Sequence, residues 1–104
     1  MKKPKIIILD LNDCKYLGEL HLRLKKAFDF PEWYGENWDA FWDLLREPRD
    51  YTIVEIKGFH SLPKDLKPSG DMIIEILQEN KEHQEKFYEK MPAFDCRVEY
   101  KIVD

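Results

Sequence analysis

The sequence predicts a small α/β domain built around a parallel sheet, and three observations carry that expectation. Three segments rich in branched and aromatic residues, 5–9, 51–56 and 96–103, are spaced along the chain as strands. Amphipathic helical segments separate them, and strands that alternate with helices call for crossover connections returning each strand in the same direction. Finally, 104 residues suffice for one domain with its own core and are too few for two, so residues 1–104 are read as a single domain.

The first strand is the continuous branched-apolar run Lys5-Ile6-Ile7-Ile8-Leu9, the pattern of a strand buried on both faces, with Asn12-Asp13 as a turn signal after it. From Leu17 to Phe28, the residues Leu17, Leu20, Leu24, Ala27 and Phe28 recur at helical spacing, while Glu19, Arg23, Lys25 and Lys26 fall mostly on the other side. That amphipathic helix must end before Pro31, because the residue preceding a proline avoids the helical region. The stretch Phe30 to Glu36 is punctuated by Pro31 and Gly35 and reads as an ordered loop whose two large aromatics, Trp33 and Tyr34, need something to pack on. Partial exposure of at least one of the two is expected.

Asn37 suits a helix N-cap, and Trp38, Phe41, Trp42 and Leu45 then occupy i, i+3, i+4 and i+7 of a second helix that Pro48 stops. Trp38 is expected in the core, whereas Trp42 has a claim to either side because its neighbour Asp43 must reach water. Tyr51 to Ile56 forms the second strand, with Gly58 as its exit. A short helical turn is placed around Pro63 to Leu66. Ser69-Gly70-Asp71 is then expected to open a longer helix in which Ile73, Ile76, Leu77 and Asn80 trace the inward face and Glu75, Glu79 and His83 another. Pro92 ends that helical region at the latest. The charge-rich stretch Gln78 to Lys90 carries both signs and reads as a solvated helix face, and Cys96 to Val103 alternates as a third strand.

Composition narrows the function. Hydrophobic residues at 43% and aromatics at 13% exclude a disordered chain, and no apolar run approaches the roughly 20 residues of a membrane span. A formal charge of −4 offers no basic footprint for a polyanion, so direct nucleic-acid binding is disfavoured. The start, Met1-Lys2-Lys3-Pro4, leads into an apolar run that Asp10 breaks, which is no secretory signal and points to a cytoplasmic address. Cys14 and Cys96 lie far apart without a CxxC or Cys/His spacing and are expected to be ordinary reduced thiols. His21, His60 and His83 are scattered, as surface or half-buried residues rather than metal ligands.

The segment from Pro31 to Leu45 is where the chain departs from local rules. Asp39 and Asp43 stand four apart on one helix, a like-charge pair that costs about 0.2–0.5 kcal/mol. Asp39 sits in the first turn, where the helix dipole favours a carboxylate, but Asp43 lies beyond it and calls for an external cation. Glu32, Glu36 and Glu47 add to the same acidic neighbourhood, and Trp33, Tyr34, Trp38 and Trp42 stand among them. Aromatics ringed by charge of one sign are the composition of a protein–protein hot spot. Three classes fit the residues. The carboxylates could serve a metal-dependent nuclease or hydrolase that uses Asp39, Asp43 and Glu79, although no phosphate-cradling glycine loop or nucleophile elbow accompanies them. They could instead belong to an acidic binding module whose carboxylates imitate phosphates and occupy a basic pocket on another protein of any kind, whose Arg and Lys would pair with Asp39 and Asp43. Lastly, the chain could be a structural protein with an acidic surface and no partner.

The string Pro31-Glu32-Trp33-Tyr34-Gly35-Glu36-Asn37-Trp38-Asp39-Ala40-Phe41-Trp42-Asp43 resembles the signature of the barstar family, intracellular inhibitors of barnase-like ribonucleases. The likeness continues through His21 and Lys25-Lys26, the second strand with Phe59, and the terminal strand opened by Cys96. It implies a three-stranded parallel sheet packed with helices, a barstar-like α/β fold. It also implies a bacterial, immunity-type protein that is no enzyme, takes no cofactor, is monomeric when free, and plugs the active site of a barnase-like ribonuclease or ribonuclease toxin domain. Carried over by position, Asp43 looks like the carboxylate that enters the ribonuclease's phosphate pocket, Asp39 like a second acidic contact and Trp42 like the aromatic beside them. Gly35 lets backbone approach the partner, with Asn37 next to it, and Trp33 stands where the family has a tyrosine. By the resemblance Glu79 is the best match to an acidic contact on the later helix, with Glu75 as the alternative. The chain departs from the family at Glu47, at His83 and by an insertion of roughly ten residues within Gln84 to Phe94.

Overall fold

The computed structural model describes residues 4–35, 37–45, 51–90 and 97–103. Strand β1 (Lys5–Asp10) leads to helix α1 (Leu17–Phe28), a loop, and helix α2 (Trp38–Leu45). Strand β2 (Thr52–Lys57) follows, then two 3-10 turns (Phe59–Ser61 and Lys64–Leu66), the long helix α3 (Lys67–Lys90) and strand β3 (Val98–Ile102). The sheet has the order β1-β2-β3 with both pairings parallel, Ile7 opposite Val54 and Val54 opposite Tyr100. This is the expected three-stranded parallel α/β architecture.

Side chains alternate across a strand, so one face of the sheet collects Ile7, Leu9, Val54, Ile56 and Val98, all buried, against the helices. Leu20, Leu24 and Phe28 of α1, Phe41, Leu44 and Leu45 of α2, and Ile73, Ile76 and Leu77 of α3 complete that core. The opposite face is open among the described residues. There Ile6 and Ile8 are 47% and 52% exposed, Lys101 Nζ lies 3.5 Å from Glu55, its partner in register, and the Tyr51 hydroxyl donates to the Glu99 carboxylate. The apolar run of β1 therefore does not mark burial on both faces. The strand lies at the edge of the sheet, and among the described residues the helices cover the side of Ile7 and Leu9.

Other boundaries shift for local reasons. Helix α1 spans the predicted residues and ends on Asp29, which adopts the left-handed conformation (φ 56°) while its N–H reaches the carbonyl oxygens of Lys25 and Lys26. Its stripe includes His21, which is buried rather than half-exposed, whereas Leu17 is exposed; His60 and His83 are exposed. Strand β2 runs one residue later than expected. Gly58 then turns the chain at φ 73°, where a Cβ would come within 2.5 Å of the Asn12 backbone nitrogen. Helix α3 begins at Lys67, so Ser69 and Gly70 lie inside it rather than capping it. The carbonyl of Pro63 accepts from the N–H groups of Leu66 and Lys67, and Pro68 stands in the first turn, where a missing N–H costs nothing. The expected inward residues Ile73, Ile76, Leu77 and Asn80 are all buried, and Glu75, Glu79 and His83 are exposed. Strand β3 is shorter than its pattern. Its residue Val98 donates its N–H to Gln84 Oε1 at 2.9 Å, and the Tyr100 hydroxyl donates to Gln78 Oε1 at 2.8 Å, so α3 is tied along β3. Cys96, Glu36, Glu47, Pro48 and Pro92 lie outside the described residues, as does part of the insertion.

Two buried groups lend themselves to measurement. Asn80 is fully buried, and among the described residues neither its amide nitrogen nor its oxygen has a hydrogen-bond partner. An unsatisfied buried amide costs about 1–3 kcal/mol, so Asn80→Leu, close in shape, is expected to raise the urea midpoint by the equivalent of about 1–2 kcal/mol. Cys14 is buried with a free thiol, and burial pushes that thiol above its ordinary value of 9.0, an effect the nearby Arg23 guanidinium opposes. The folded state thus holds the proton to higher pH than the unfolded chain. The corresponding stability is present below the unfolded thiol's pKa and is lost as pH rises through the folded one. Urea midpoints are therefore expected to fall above about pH 9 and to fall less steeply in Cys14→Ala, with the difference between the two proteins isolating the thiol from lysine and tyrosine.

Candidate functional site

Helix α2 is divided lengthwise. Phe41, Leu44 and Leu45 are buried, Trp38, Ala40 and Trp42 are partly buried against the core, and Asp39 and Asp43 are exposed on the outer side. Phe41 anchors the helix inside an aromatic group, its ring 5.7 Å from Phe28, 6.0 Å from Phe30 and 6.3 Å from Trp38. The N-cap is Asn37, as its sequence position predicts. Its Oδ1 accepts from the Ala40 N–H at 2.8 Å, and its Nδ2 donates to the Gly35 carbonyl at 3.1 Å. Gly35 is exposed, and a Cβ there would come 2.8 Å from Asn37 Nδ2, so the glycine makes room for the cap. Asn37→Ala is expected to lower stability by about 1 kcal/mol in a denaturant titration, because one orphan N–H of α2 loses its acceptor.

The leading loop is held from within. Phe30 stacks on Phe28 at 5.2 Å, and its N–H donates to the Lys25 carbonyl. Tyr34 is buried, and its hydroxyl shares a 2.8 Å hydrogen bond with His21 Nδ1; the same histidine ring lies 4.7 Å from that of Trp38. Lys25 Nζ pairs with Glu32 at 3.0 Å. Trp33, between these anchors, is 68% exposed, so of the two loop aromatics one is core and the other faces solvent. The histidine that orders this loop was not among the predicted site residues. Its signal was legible, since His21 falls on the apolar stripe of α1 between Leu20 and Leu24, where a polar ring requires a buried partner.

The placement of the two aspartates sharpens their cost. In an eight-residue helix Asp39 lies in the first turn, but Asp43 lies in the last, which holds no basic residue and where a carboxylate opposes the helix dipole. Among the described residues no hydrogen bond or ion pair engages the side chain of Asp39, Asp43 or Glu79. Glu79 is exposed on α3, and α2 packs against that helix. Among the described residues, no group of three or more His, Cys, Asp or Glu side chains, Asp39, Asp43 and Glu79 included, is placed to hold a metal ion. No helix among them is long and apolar enough to cross a membrane.

A three-stranded parallel sheet packed with helices defines a small α/β protein, whose second helix and leading loop expose Asp39, Asp43 and Trp33. The chain belongs to the Barstar (barnase inhibitor) family, whose model matches residues 5–99. It is also 36% identical over 77 residues to a protein of Bacillus subtilis (strain 168) named "Putative ribonuclease inhibitor YrdF", an alignment spanning 73% of this chain and 85% of that one. Family and relative together support a ribonuclease-inhibitor role.

Proposed function

We propose that this protein binds a barnase-like ribonuclease and blocks its active site, its carboxylates standing where RNA phosphates would. Asp43 enters the basic pocket and Asp39 pairs beside it, each by charge-assisted hydrogen bonds to arginine or lysine of the enzyme. Trp33 and Trp42 provide rigid aromatic contact, the backbone around Gly35 and Asn37 approaches the enzyme closely, and Glu79 supplies an acidic contact from α3. The protein acts as a cytoplasmic monomer, needs no metal or cofactor, and catalyses nothing itself.

The observation that carries this reading is Asp43, an exposed carboxylate at the wrong end of a helix and one turn from another carboxylate. Such a placement costs the free protein stability, and a cation of the enzyme facing Asp43 in the complex would compensate it. A loop and two helix faces are also enough surface, since a standard interface needs about 800 Å² from each partner. The decisive measurement is a titration of barnase-catalysed RNA cleavage with the purified protein. Stoichiometric loss of cleavage is expected, and full cleavage at a tenfold excess of protein would refute the reading for this enzyme.

A further inference from the structure

We propose that His21 is a positioning residue for ribonuclease binding: its hydrogen bond to the Tyr34 hydroxyl and its ring contact with Trp38 lock the loop to α2, so that Trp33 and the Gly35 backbone are presented in one fixed geometry. The inference rests on the ribonuclease-binding reading above and extends it to residues that never touch the partner.

His21 and Tyr34 are only 2% and 5% exposed, and their bond joins α1 to the loop 13 residues later in sequence. The same imidazole lies 5.9 Å from the Tyr34 ring and 4.7 Å from that of Trp38, the first residue of α2. One side chain thus touches both segments that flank Gly35. The rest of the inward stripe of α1 is Leu20, Leu24 and Phe28, so an apolar side chain would suit this position at least as well for packing alone. A buried polar pair contributes little net stability beyond what an apolar pair of the same shape provides, because its hydrogen bond mainly offsets desolvation. Direction is what a hydrogen bond adds and an apolar contact lacks.

Direction matters here because Trp33 is 68% exposed and takes its orientation from its neighbours. Beside it, the ion pair of Lys25 with Glu32 involves a Glu32 side chain that is 97% exposed, and exposed pairs of this kind hold geometry weakly. The next residue, Tyr34, is therefore the rigid point from which Trp33 projects. A loop ordered before encounter avoids the entropy of ordering at the interface, a gain that appears mainly in the dissociation rate.

The experiment compares Tyr34→Phe, which keeps the ring and removes the hydroxyl, with His21→Leu, which keeps the bulk, and His21→Asn, which returns a polar atom near the position of Nδ1. Each is measured for association and dissociation rates with barnase and for the backbone-amide and Trp33 indole resonances of the free protein. Tyr34→Phe and His21→Leu are expected to raise the dissociation rate about tenfold, to leave association unchanged, and to displace the resonances of residues 30–35 while those of the sheet and α3 stay in place. His21→Asn is expected to recover most of the loss. Parent-like dissociation in Tyr34→Phe, or loop resonances that do not move, would overturn the proposal. Should the parent protein fail to bind barnase, the ribonuclease reading fails for that enzyme while the loop resonances alone decide the positioning role. A His21→Leu chain that does not fold leaves Tyr34→Phe to decide it.

Discussion

Asp43→Ala is expected to weaken the complex with a barnase-like ribonuclease by at least about 2 kcal/mol, roughly thirtyfold in Kd, and at the same time to make the free protein slightly more stable. The loss arises because the enzyme's basic group would be buried against the inhibitor without its carboxylate, which leaves an uncompensated charge at the interface. The gain arises from the helix itself. Removing Asp43 relieves repulsion from Asp39, about 0.2–0.5 kcal/mol, and an unfavourable interaction with the C-terminal dipole of α2, about 0.3–1 kcal/mol. Isothermal titration and urea unfolding on the same preparation read the two quantities. Opposite signs are the signature of a residue kept for binding. A variant that binds as tightly as the parent, or one that loses stability and affinity together, would count against the role assigned to Asp43.

Phe41→Ala is expected to cost about 3–5 kcal/mol of stability, the range for truncating a fully buried aromatic side chain. Phe41 has no exposed surface and packs among Phe28, Phe30 and Trp38, so the cavity would open where α1, the loop and α2 meet. For a domain of this size the fall in Tm would be at least about 12 °C, and a protein of marginal stability would be largely unfolded at 37 °C. Affinity measured at low temperature would also fall, because Phe41 sits between Asp39 and Asp43 in sequence and fixes the face on which both project. Phe41→Leu, which keeps most of the volume, is expected to recover most of the stability.

Much of the candidate site was legible because it is local. Asn37 caps α2 through contacts within three residues, the spacing of Asp39 and Asp43 puts both on one side of a helix, and the apolar stripe of α2 faces inward as its period requires. Where reading failed, the missing information was non-local. Lys5 to Leu9 is as apolar as a doubly covered strand, yet Ile6 and Ile8 meet solvent, because strand order and helix placement decide which faces are covered. Ser69 looked like a cap, but the carbonyl of Pro63 starts the helical path earlier and Pro68 extends it.

By itself the sequence determined that this is an α/β chain, where its strands and helices lie, and that an acidic helix follows an aromatic loop, since each follows from periodicity, caps and charge within a few residues. Only the tertiary structure decided that Ile6 and Ile8 meet solvent while Ile7 and Leu9 are buried, that Trp33 is exposed while Tyr34 is buried, and that His21, distant in sequence, is bonded beneath the loop. Those outcomes depend on which distant surfaces meet, and burial and hydrogen bonding belong to the packed molecule rather than to any short segment of it.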